Sequence, residues 1–275
     1  MSQFTPEPEP PFREYEPIHP ESALRQLGRR LSAPVAVVVA LLLKFKAVAL
    51  AIFKFKAFTT SASMFVSVAA YAWIWGWRFA VGFVLLLFVH ELGHVLELRR
   101  QGIPASAPLF IPFLGAAVGM KGMPKNAWRE AQVGLAGPIL GSLGALAVWI
   151  AGEALDSEFL VALAFTGFLL NLFNLLPITP LDGGRAVAAI HPGLWAFGLA
   201  GLVGLAIVYP NPILLIVLVF GGLDLWRRWR ERGGPEAAEY YRVRPWQRAA
   251  VGVTYVGLAA LLALAMSATH LERTF

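Results

Sequence analysis

Residues 85–100 read LLLFVHELGHVLELRR, so His90, Glu91 and His94 stand inside a run that is otherwise largely apolar. On a helix, histidines four residues apart lie about 40° apart in projection and one turn apart, so both imidazoles can ligate one metal ion. Glu91 projects about 100° from His90, within reach of a water on such an ion without being a ligand. This is the HExxH logic of zinc peptidases: neutral imidazoles hold the ion, its water becomes acidic, and the carboxylate takes a proton as that water attacks a carbonyl. In a chain of 275 residues, chance occurrence of the pattern is on the order of one in a hundred at average composition. An uncompensated ionisable group in a membrane helix costs about 2.5 kcal/mol or more, which makes chance rarer still. The alternative is a pair of histidines hydrogen-bonded within a bundle or ligating haem.

A third ligand must come from elsewhere in the chain. There is no cysteine, which excludes thiolate metal sites, disulfides and cysteine nucleophiles, so any metal must use His, Asp or Glu. Glu97 shares a face with His90 and His94, but three ligands stacked along one helix cannot surround a tetrahedral ion. It reads as a supporting or arginine-paired residue. Asp182, in NLFNLLPITPLDGG (171–184), fits better. Pro177 and Pro180 break the preceding helix and turn the chain back, and Gly183 and Gly184 allow close backbone approach. The alternative for Asp182 alone is a helix cap before a short helix.

The elements that must position these groups are those of a membrane protein. The chain is 57% hydrophobic and 15% charged, against about a quarter charged in soluble domains. Apolar segments long enough for a bilayer, about 20 residues, lie at roughly 58–77, 78–98, 130–152, 158–176, a hairpin of 193–208 with 211–226, and 249–269. The net charge of +6 lies in short connections and reports topology, so no nucleic-acid partner is expected. Arg99, Arg100, Lys121, Lys125 and Arg129 make one connection cytosolic, whereas 152–158 is acidic and lies outside. The same alternation puts Arg185 and the seven arginines of 227–248 inside. His90, His94 and Asp182 then share the cytosolic half, with His90 about 12 Å inside its helix end.

Two stretches stand apart. Residues 34–57 carry Lys44, Lys46, Lys54 and Lys56, which no single helical face can hold. They read as a membrane-surface or re-entrant segment, or else as a spanning helix with snorkelling lysines. Residues 99–128 are too rich in proline and glycine for a long helix. The runs Leu109–Leu114 and Ala116–Met120 around Gly115 predict short strands or a hairpin at the membrane surface, either a packed loop or a substrate-binding edge. The proline-rich, acidic 1–33 reads as a disordered cytosolic tail and not as a signal peptide.

HELGH followed about eighty residues later by NLLPITPLDGG on another apolar segment resembles the site-2 protease family of intramembrane zinc metalloproteases. The resemblance covers roughly 78–190. It implies a three-helix catalytic core, with His90, His94 and Asp182 as zinc ligands and Glu91 as catalytic base. It further implies that Asn174 and Pro177 shape the substrate-binding side. Gly137–Gly141 is a weak match to the family's G-x-x-x-N/S/G pattern. No segment is long enough for the PDZ or CBS domains of some members, and the resemblance implies no role for the C-terminal segments.

The expected fold is an all-α polytopic membrane protein with about six or seven transmembrane helices around that core and a short surface β-hairpin. Its parts are 1–33, 34–57, a protease domain over 58–226, a basic cytosolic segment over 227–248, and a C-terminal helix and tail over 249–275. The expected activity is zinc-dependent cleavage in or near the transmembrane segment of a single-span partner, in regulated intramembrane proteolysis. The expected setting is a bacterial cytoplasmic membrane, with the N-terminus and the site's opening facing the cytosol. The substrate is held at Gly115 and its flanking strands, Asn174 and Pro177. The alternatives are a catalytically silent scaffold or a metal transporter. A transporter would place ionisable groups in both halves of the membrane, and a scaffold would usually lack Glu91 or a ligand.

Overall fold

The computed structural model describes Lys44, residues 58–231 and residues 234–270. The expectations for a tail over 1–33 and a surface or re-entrant segment over 34–57 lie outside the described residues, Lys44 apart. A first helix, α1, covers 58–75 and stops at Gly76, whose φ of 82° is a left-handed conformation that glycine adopts freely. Helix α2 (Trp77–Arg100) follows at once. It ends where Gly102, at φ 74°, donates its N–H to the Arg99 carbonyl and Ile103 donates to Leu98, a Schellman arrangement. Arg99 and Arg100 occupy the last turn, where cations complement the helix dipole.

The connection to the next helix contains an antiparallel hairpin, β1 (Leu109–Ile111) and β2 (Gly115–Ala117), with Phe110 opposite Ala116. The strands are shorter than the sequence predicts, and Gly115 begins β2 instead of separating two longer runs. Pro112 has no N–H to continue the ladder, so 112–114 become the turn, with Phe113 at φ 64°. Helix α1 closes the outer edge of β1. Ser63 Oγ accepts from the Phe110 N–H (3.2 Å), Thr60 Oγ1 donates to the Pro108 carbonyl (2.9 Å), and the Tyr71 hydroxyl accepts from the Phe113 N–H (3.1 Å). Strand β2 is therefore the edge with no strand beside it among the described residues.

The remaining elements are α3 (Ala127–Ala154), α4 (Glu158–Asn174), α5 (Asp182–Ile190), α6 (Leu194–Val208), α7 (Pro212–Glu231), α8 (Pro235–Tyr240) and α9 (Pro245–Ala268). Asn126 Oδ1 caps α3 by accepting from the Arg129 N–H (3.0 Å), and Ser157 Oγ caps α4 by accepting from Leu160 (3.4 Å). Helix α3 is the centre of the molecule, packed against α2, α4, α5 and α9. Glycines bring the backbones close. A Cβ on Gly93 of α2 would fall 2.7 Å from the Ala136 carbonyl carbon, and one on Gly167 of α4 would fall 2.9 Å from Ala145 Cβ. Val84, Leu87, Leu135, Leu163 and Phe168 fill the space around these approaches.

By length and composition α2, α3 and α9 can each cross a membrane. Helices α4 and α6 are apolar but have 17 and 15 residues, and the last two turns of α7 hold Asp224, Arg227, Arg228 and Arg230. Among the described residues three helices thus reach full length and apolarity against the expected six or seven, and α4 and α6 fall short where Pro177 and Pro210 follow close on their ends. The outward faces remain apolar: Leu143 and Ile150 of α3, Phe197 and Ile207 of α6, and Val253, Leu261 and Leu264 of α9 are all exposed. Faces of this kind mark contact with an apolar medium or partner.

The α2–α3 approach has no slack, because the obstacle at Gly93 is backbone. Gly93→Ala is expected to destabilise the protein by about 1–3 kcal/mol, read as a lower thermal unfolding midpoint in detergent micelles. An unchanged midpoint would contradict this packing.

Candidate active site

The two histidines of α2 point into the bundle, with His90 2% and His94 6% exposed. Asp182 is the first residue of α5, and its carboxylate is turned toward them instead of capping its own helix. Its Oδ2 lies 3.1 Å from His90 Nε2 and 3.2 Å from His94 Nε2, and the two Nε2 atoms are 3.3 Å apart. Three residues from two distant stretches of sequence thus present one donor atom each to a single point.

The other nitrogen of each ring is already engaged. His94 Nδ1 lies 2.8 Å from the Val133 carbonyl, which only accepts, so that nitrogen carries the proton. His90 Nδ1 lies 2.8 Å from Asn171 Oδ1. The Asn171 amide is oriented by its own Nδ2, which donates to the Gly167 carbonyl at 2.7 Å, so Oδ1 faces His90 and accepts from it. In the neutral imidazoles both Nε2 atoms are therefore lone-pair acceptors. They meet a carboxylate oxygen, and three buried acceptors with no donor among them repel one another unless a cation lies between.

The spacing suits a small ion. Ligands about 2.0–2.1 Å from a tetrahedral zinc stand about 3.3–3.4 Å from one another, and the three observed separations of 3.1–3.3 Å are close to that edge. Two imidazoles and one carboxylate form a donor set typical of zinc with an open fourth position. Glu91 is buried beside the group, within the electrostatic reach of His94, His90, Asp182 and Arg185.

Residues 78–157 match the model of peptidase family M50. The chain is 30% identical over 154 residues to the zinc metalloprotease MJ0392 of Methanocaldococcus jannaschii, covering 53% of this chain and 44% of the relative. It is 34% identical over 152 residues to the putative zinc metalloprotease Rip3 of Mycobacterium tuberculosis, covering 52% and 38%. It is 25% identical over 227 residues to the probable chloroplastic zinc metalloprotease EGY1 of Arabidopsis thaliana, covering 64% and 41%. Over residues 78–157 the chain is thus similar to peptidase family M50, and each of these relatives carries a zinc metalloprotease name.

The chain spans less than half the length of each of these relatives. The family-model match takes in His90, Glu91 and His94 and stops before Asp182, which joins them through the tertiary fold. Gly137 and Gly141, the weak sequence match, both stand where a side chain would strike the site. A Cβ on Gly137 would collide with the His94 ring, and one on Gly141 with the Asn171 amide. Gly183 and Gly184 pack against the backbone of Leu175, Ile178 and Thr179. Glu97 holds Arg100 through two bonds of 2.6 and 2.7 Å and lies outside the metal-ligating group.

The residues assigned to substrate lie elsewhere. Asn174 Nδ2 donates to the Leu170 carbonyl at 3.0 Å, Pro177 packs against Gly198 of α6, and Gly115 lies at the start of the free strand β2. None of the three joins the metal-ligating group. Sequence reasoning missed Asn171 and the Val133 carbonyl. A polar amide in the apolar stretch of α4 is a signal that marks Asn171 and Asn174 alike, and a backbone carbonyl has no sequence signature. Asn171→Leu keeps the branched four-atom shape and removes the acceptor for His90 Nδ1. It is expected to weaken zinc affinity about 10–100-fold, measured by competition with a calibrated chelator.

Proposed function

We propose that this chain is an intramembrane zinc metalloprotease that hydrolyses a peptide bond in or near the transmembrane segment of a single-span partner protein. The observation that carries the reading is the convergence of His90 Nε2, His94 Nε2 and Asp182 Oδ2, with both histidine Nδ1 atoms already committed. His90, His94 and Asp182 would hold a zinc ion, which would supply Lewis-acid polarisation of the scissile carbonyl and a more acidic water. Glu91, adjacent in sequence to the first ligand and outside the ligand set, accepts the proton of the attacking water and returns it to the leaving amine. The relatives named as zinc metalloproteases support the same activity.

The exposed apolar faces of α3, α6 and α9 support a membrane setting. The basic 99–129 connection and the arginines of 227–248 support placing the site's opening on the cytosolic side of a bacterial cytoplasmic membrane. A helical substrate hides its carbonyls in hydrogen bonds, so it must unwind to be cut. Strand β2, whose far edge has no strand beside it among the described residues, can hold the unwound stretch by strand addition, with Gly115 letting the chain approach closely. Asn174 and Pro177 border the chain that leads to Asp182. Release of a membrane-tethered partner would place the enzyme in regulated intramembrane proteolysis.

Co-reconstitution with candidate single-span proteins tests the reading. Glu91→Gln is expected to retain zinc and lose at least about a hundredfold in cleavage rate, whereas Asp182→Ala loses both. Undiminished proteolysis by Glu91→Gln would overturn the mechanism.

A further inference from the structure

The C-terminal elements, to which the sequence assigns no role, contact the site from behind. Asp224 of α7 accepts from Thr179 Oγ1 at 2.6 Å, and Thr179 lies three residues before Asp182. Gly221, one turn earlier on α7, lets the helix rest on the Thr179 carbonyl, 2.6 Å from where a Cβ would stand. Arg228 donates to the same Asp224 carboxylate through Nε (2.7 Å) and pairs with Glu130 at 3.5 Å. Glu130 lies in the first turn of α3, three residues before Val133, whose carbonyl holds His94. The Arg228 guanidinium also lies 4.9 Å over the Trp195 ring, and Trp195 Nε1 donates to the Gly184 carbonyl at 2.7 Å.

Each contact ends on a segment that orients a metal ligand. Arg228 and Glu130 are largely buried, at 17% and 5% side-chain exposure, so their charges are poorly solvated and hold their geometry. Tyr240 adds a bond to Glu130 Oε2 at 2.8 Å, and burial together with that carboxylate pushes its hydroxyl pKa upward, which keeps it a donor. The planar guanidinium is suited to this place because it reaches two acids and an aromatic face at once.

We infer that Arg228 and Asp224 of α7 are positioning residues for the metal site, with Arg228 bridging the loop that presents Asp182 to the turn of α3 that orients His94. The inference rests on the zinc reading above and extends it to a part of the chain outside the matched core. It assigns α7 a role in setting ligand geometry, distinct from holding the bundle together.

Zinc affinity of the full chain in detergent, measured by chelator competition on the monodisperse fraction, tests it alongside thermal midpoints. Thr179→Val and Asp224→Asn, both isosteric, and Arg228→Met are each expected to lose about tenfold or more in zinc affinity. Arg228→Lys restores part of the loss, since one ammonium can pair with one acid. Arg227→Ala, which removes an exposed partner of the same Asp224 carboxylate, is expected to leave affinity unchanged. Variants that lose thermal stability yet bind zinc as tightly as the unmodified chain would overturn the positioning role and leave the zinc reading intact. An unmodified chain that binds no zinc would overturn both.

Discussion

Two imidazole nitrogens and a carboxylate oxygen, all acceptors, are crowded together in an apolar interior, and the rest of the molecule holds them against their mutual repulsion. An unpaired buried charge or acceptor is costly, and the cost is offset only if every other polar atom of the group is satisfied and a cation completes the set. That requirement accounts for the secondary contacts. His94 is fixed by a backbone carbonyl of α3, His90 by an amide of α4, and the amide by a carbonyl of its own helix. Each link removes a rotation that would let a ring turn its lone pair away from the centre.

Such positioning demands close backbone approach, and α3 provides it through small residues. Gly134, Gly137 and Gly141 lie on successive turns of one face. Through them α3 meets the Asp182 carbonyl, the His94 ring and the Asn171 amide. A methyl group at any of them would displace a part of the site. In lipid, where helix association gains little from expelling water, such small-residue contacts and interhelical hydrogen bonds supply much of the attraction. The packing that stabilises the bundle and the packing that shapes the site are therefore the same contacts.

The periphery divides between a closed side and an open one. Helix α1 covers the edge of β1 through Thr60, Ser63 and the Tyr71 hydroxyl, and Tyr71 is locked by edge-to-face contacts with Phe83 and Phe113. Among the described residues, strand β2 keeps its far edge free of another strand. A two-stranded hairpin is marginal by itself, so its anchoring to α1 and α2 is what makes a free edge tenable. Elsewhere, Arg228 of α7 and the Tyr240 hydroxyl of α8 meet Glu130 in the first turn of α3. The Arg228–Glu130 pair there is largely shielded from solvent, where a guanidinium can hold several partners at fixed distances.

Local sequence chemistry determined the identity of the metal-binding helix. The i, i+4 period of His90 and His94, with Glu91 between them and membrane-grade apolarity on both sides, has few other physical meanings. The turn that delivers Asp182 was legible from Pro177, Pro180 and the glycine pair. A short helix there was legible only with Asp182 as its cap. The structure makes Asp182 its first residue with the carboxylate turned to the histidines, and packing of the glycine pair against Leu175, Ile178 and Thr179 offsets their low helix propensity. Nothing local distinguishes Asn171 from Asn174: both are amides on α4, and only the placement of α2 decides that the first reaches His90 while the second bonds Leu170. The Val133 carbonyl and the reach of Arg228 to Glu130 were equally hidden, because each joins residues far apart in the chain through distances that only the packed bundle sets. Residue type and spacing determine which chemistry is possible, whereas the direction of each lone pair is a property of three dimensions.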